Sequence, residues 1–163
     1  MQLSSRLDII IRDNLNRLPT EPFIWWQKTW WSRGAFLELI EECEERLRAS
    51  NFKRGQRLAL LMPNSPVLLA TAVAVWRLGG AVVLIDFRSG YLPLIRQLRH
   101  ADVFAALTYR GCEDLVQLIS EEGIPCSVIC RRKSSRISQM GSGEPTMPTE
   151  NSTKDTRLPA MLR

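Results

Sequence analysis

The side chains of this chain that suggest chemistry are four cysteines, one histidine, a run of glutamates and four clustered tryptophans. Cys43, Cys112, Cys126 and Cys130 form no Cys-x-x-Cys pair. Cys126 and Cys130 share a face if their segment is a strand. A tetrahedral metal site needs further nitrogen or sulfur ligands, and His100 is the only histidine. The cysteines therefore read as buried, reduced thiols of a cytoplasmic protein, and His100 as a helix-end residue. Glu38, Glu41, Glu42, Glu44 and Glu45 read as the solvated face of a helix rather than a catalytic cluster. Trp25, Trp26, Trp30 and Trp31 are the right residues for a sugar- or base-stacking platform, but cross-strand packing explains them without a ligand. No Gly-x-Gly-x-x-Gly or P-loop pattern opens a phosphate site, and no Gly-x-Ser-x-Gly elbow presents a nucleophile. No carboxylate pair stands out from the helix faces. The expectation is that this chain contains no catalytic, cofactor-binding or metal-binding residue.

The elements that would position any site are clearer. Arg57 to Met62 is an apolar run of strand length. Pro63-Asn64-Ser65-Pro66 is a turn in which Ser65 caps a helix and Pro66 takes its first position. Val67 to Leu78 runs about three helical turns and stops at Gly79-Gly80. Ala81 to Ile85 is a second apolar run, rich in β-branched residues. Two continuously apolar strands around a helix describe a parallel βαβ unit covered on both faces. Upstream, Leu3 to Leu18 fits a helix with Leu3, Leu7, Ile10, Ile11 and Leu18 on one face, ended by Pro19. Pro22 to Trp31 fits a hairpin turning at Gln27-Lys28, of uncertain turn type because it lacks Asn-Gly. Ser32 caps a helix that buries Phe36, Leu39, Ile40, Cys43 and Leu47. Downstream, helices are predicted at Tyr91 to His100 and Cys112 to Glu122, and strands at Val103 to Tyr109 and Pro125 to Cys130. The order β-α-β-α-β-α-β predicts a parallel sheet with right-handed crossovers. The fold class is α/β, three layers, preceded by an aromatic β-hairpin.

Composition bounds the rest. A length of 163 residues fits one domain with a core. The net charge of +5 is uneven. Residues 131–163 hold seven Lys/Arg and three Asp/Glu, whereas the first 130 residues hold 15 and 14. The body is thus nearly neutral and lacks the basic stripe of a nucleic-acid face. Residues 1–131 read as the folded part. Residues 132–163, rich in Ser, Thr, Pro, Gly and charge, read as a flexible linker or tail. Asp8 and Asp13 interrupt any signal-peptide pattern. Val67 to Ile85 is apolar enough to suggest a membrane span, but Arg77 and Gly79-Gly80 split it into helix and strand.

The stretch from Lys53 to Asp86 resembles the N-terminal region of the adenylate-forming, AMP-binding enzymes, the acyl-CoA and acyl-ACP synthetases and their relatives. The residues that carry the likeness include Gly55, Arg57, Ala59, Leu60, Pro63, Asn64, Ser65, Pro66, Leu78, Gly79 and Val82. The likeness covers about residues 3–130, and is specific around 53–86. It departs at Leu84 and Phe87, where the family usually has prolines. The resemblance implies ATP-dependent activation of a carboxylate to an acyl-adenylate, then transfer to a thiol. ATP, Mg and coenzyme A or a carrier-protein pantetheine are the implied cofactors. The family's Ser/Thr/Gly-rich phosphate loop and its C-terminal lysine have no counterpart here. Leu158 to Arg163 resembles the strand that runs into that loop. The expected function is therefore an N-terminal scaffold fragment, inactive alone, whose partner is the downstream ligase in cis or in trans, with self-association through bare surfaces. Two alternatives remain: a complete non-catalytic interaction module, or an unrelated small α/β ligand-binding domain.

Overall fold

The computed structural model describes residues 6–129. The expected tail at 132–163, Cys130 and the Leu158 to Arg163 stretch lie outside the described residues. Helix α1 (Arg6–Arg17) precedes the antiparallel hairpin β1 (Pro22–Trp26) and β2 (Thr29–Ser32). Helix α2 (Arg33–Ala49) leads into β3 (Arg57–Leu61), α3 (Pro66–Arg77), β4 (Ala81–Leu84), α4 (Tyr91–His100), β5 (Ala105–Tyr109), α5 (Glu113–Glu121) and β6 (Cys126–Ile129).

Local chemistry sets the boundaries. The Ser32 Oγ accepts the Ala35 N–H at 3.2 Å. The Ser65 Oγ accepts the Leu68 N–H at 3.2 Å, with Pro66 in the first turn of α3. Both hydroxyls satisfy amide groups that a helix start leaves without partners. At the far end of α3, the Gly79 N–H donates to the Trp76 carbonyl and the Gly80 N–H to the Val75 carbonyl, each at 2.9 Å. Gly79 takes the left-handed conformation that this helix end requires (φ 74°).

The four core strands pair in parallel in the order β4-β3-β5-β6. Successive residues of β3 point to opposite faces. Leu58 and Leu60 join the core under α2 and α3, with Phe36, Ile40, Leu47 and Val75. Ala59 and Leu61 join the core on the other face, with Leu94, Ile95, Leu98 and Ile119 of α4 and α5. The result is the three-layer α/β architecture predicted from the apolar runs.

Two details differ from the sequence expectation, and a third fills in what it left open. The second strand lies at the sheet edge: Val82 and Val83 pack against the two opposite cores, as expected, but Leu84 at its carboxyl end is 66% exposed. An apolar run cannot by itself distinguish an edge from a centre. In α1, Leu15 is the fully buried residue, while Ile10 and Leu18 of the expected face are exposed. That helix docks on α2 and α3 through Leu15 and Ile11. The hairpin turn is also resolved: Gln27 (φ 49°) and Lys28 (φ 61°) both adopt positive φ, as a type I′ turn demands.

Candidate functional site at the carboxyl ends of the strands

In an open parallel sheet, the carboxyl ends of the strands expose loops around a crevice where the strand order reverses direction. Here the chain leaves β3 for β4 on one side, then crosses to β5 on the other. A cavity of about 370 Å³ opens at the ends of β3 and β4. Its wall is Leu60, Met62 and Leu68, with Leu84 to Phe87 opposite. Pro63 and Asn64 of the capping turn line it, as does Arg88.

Two contacts shape the mouth. Arg88 donates to Asp86 through Nε at 2.9 Å and Nη2 at 3.1 Å, and its backbone N–H reaches the same carboxylate at 3.0 Å. The hydrogen bonds to the Arg88 side chain, then to its N–H, hold the Asp86 carboxyl below its usual range. The Ser89 hydroxyl donates to the Asp86 carbonyl at 2.8 Å. Phe87 meets the Tyr109 ring edge-on, with centroids 5.4 Å apart, so it anchors the loop after β4 to the end of β5. A hydrogen bond with Cys112, followed by burial, raises the Tyr109 phenol.

The lining is mainly apolar, with Asn64 and the Asp86–Arg88 pair as its polar side chains. The lining holds no nucleophile paired with a base, and its guanidinium is already engaged by a carboxylate. Among the described residues, no group of three or more His, Cys, Asp or Glu is arranged to hold a metal ion. The ATP phosphates and Mg implied by the resemblance find no fitting set of residues at this cavity. Sequence reasoning missed it. The turn after β3 and the loop after β4 were both legible, and their juxtaposition follows only from strand order.

The other chemistry-bearing residues are dispersed. Cys43 is buried in α2, its Sγ 3.5 Å from the Thr71 hydroxyl, and burial pushes its thiol up. Cys112 precedes α5, and Cys126 lies in β6. His100 ends α4, exposed. Glu42 pairs with Arg46 at 2.7 Å and Glu44 with Arg48 at 2.6 Å along α2, whereas Glu38, Glu41 and Glu45 face solvent. Trp25 and Trp30 pair directly across the hairpin with ring centroids 5.3 Å apart and planes tilted by 55°. That tilt is packing geometry rather than a flat platform. A second, apolar groove of about 350 Å³ lies between α1, β1 and α3, bordered by Ile10, Phe23, Leu69 and Trp76.

The parallel sheet with its capped α3 matches the N-terminal part of the adenylate-forming ligase fold. The sequence profile of the AMP-binding enzymes matches residues 11–159, and the chain belongs to that family. Solved structures agree in fold. A benzoate CoA ligase from Burkholderia xenovorans LB400 superposes with a TM-score of 0.67 at 14% identity, over 77% of this chain and 25% of that one. The R395G mutant of a coronafacic acid ligase from Pectobacterium brasiliense gives 0.70 at 18% identity, over 81% and 27%. The o-succinylbenzoate coenzyme A synthetase from Bacillus subtilis, in complex with AMP, gives 0.65 at 15% identity, over 72% and 30%. The matched region thus spans 25–30% of these neighbours. A comparison with curated protein sequences finds no match. Among the described residues, no helix is long and apolar enough to cross a membrane.

Proposed function

We propose that this chain is the N-terminal scaffold of an acyl-CoA or acyl-ACP synthetase-like ligase, inactive alone, which works with the rest of the ligase in cis or in trans. The observation that carries this reading is the family match over residues 11–159. The reaction in question joins a carboxylate to ATP as an acyl-adenylate, releasing pyrophosphate. A thiol then takes the acyl group and releases AMP. Stabilising the charge that develops in the first step needs donors fixed around the phosphates, and the cavity at the strand ends has its cation tied to Asp86. We read the acid as a fatty acid, the thiol as coenzyme A or a carrier pantetheine, and the compartment as cytoplasmic. Bare apolar surface supports self-association of the isolated chain.

The test is ATP–pyrophosphate exchange by the purified chain, with fatty acids in one arm and benzoate in the other. No exchange is expected in either. Reproducible exchange above a heat-killed control overturns the reading.

A further inference from the structure

We draw no further inference here: the strongest candidate, the apolar groove between α1, β1 and α3 bordered by Ile10, Phe23, Leu69 and Trp76, is an unpartnered face, and nothing in the structure shows what covers it.

Discussion

Gly80 lies so close to Phe52 that a Cβ built on it would stand 2.5 Å from the ring's Cζ and 2.9 Å from the Gln56 carbonyl oxygen. The Phe52 ring is itself held edge-on by Phe104, with centroids 5.6 Å apart. The turn from α3 into β4 is therefore pressed against the entry to β3, with no room for a methyl group.

Gly80→Ala is expected to destabilise the chain by about 1–3 kcal/mol through overpacking. Gly55→Ala is the control: it meets nothing within 4 Å and is strained only by its φ of 84°, a penalty of about 1–2 kcal/mol. Urea denaturation of both variants checks this. A Gly80→Ala midpoint no lower than that of Gly55→Ala would show that the ring yields.

The hairpin gives a prediction of opposite sign. Gln27 and Lys28 hold positive φ without being glycine, a conformation that costs an ordinary side chain roughly 1 kcal/mol. Lys28→Gly is expected to raise the melting temperature, and Gln27→Asn to raise it less. A decrease in both would count against the turn geometry.

The tryptophans divide by depth. Trp31 is 9% exposed and sits in the core with Phe36 and Ile40, so Trp31→Ala is expected to lose about 3–5 kcal/mol. Trp30 is only half-buried against Trp25, and Trp30→Ala is expected to lose clearly less. Equal losses in thermal unfolding would contradict this ordering.

Burial pushes the Cys126 thiol up to about 11 from an ordinary 9.0. The folded chain keeps that proton where the unfolded chain releases it. The stability gained is complete below about pH 9 and declines as pH rises towards 11. The Cys43, Tyr91 and Tyr109 groups are also raised, so they act in the same direction. Cys126→Ala is expected to lose less stability between pH 9 and 11 than the parent. Parallel curves over that window would remove Cys126 from the account.

Leu69 and Trp76 are 48% and 41% exposed at the edge of the apolar groove. The purified chain is expected to bind a hydrophobic reporter dye, and Leu69→Glu to reduce that fluorescence at an unchanged fold by circular dichroism. Absence of dye binding by the parent would mean that the groove is closed in solution.

Much of this fold was legible because its signals are local. Ser65, Pro66 and Gly79 mark α3 by capping and backbone rules that act within one turn. The apolar runs at 57–62 and 81–85 mark strands by composition. What escaped is non-local. Leu84 looks like a core residue until β4 is known to be an edge. Leu15 stands one turn on from Ile11, so helical period offered it, but only the positions of α2 and α3 decide that the Ile11–Leu15 side of α1 is buried and Ile10 is not. The cavity at the strand ends needed the order β4-β3-β5-β6, which no single segment encodes.

The central strand β3 has a consequence for how the molecule comes apart. Leu58 and Leu60 belong to one core, and Ala59 and Leu61 to the other. All four sit on one five-residue strand whose amides and carbonyls also form the ladders to β4 and β5. Neither hydrophobic layer can open widely without unzipping the backbone that anchors the other. The two halves should therefore melt together, in one transition with a single midpoint, whether it is followed by tryptophan fluorescence in the hairpin or by amide exchange in α4.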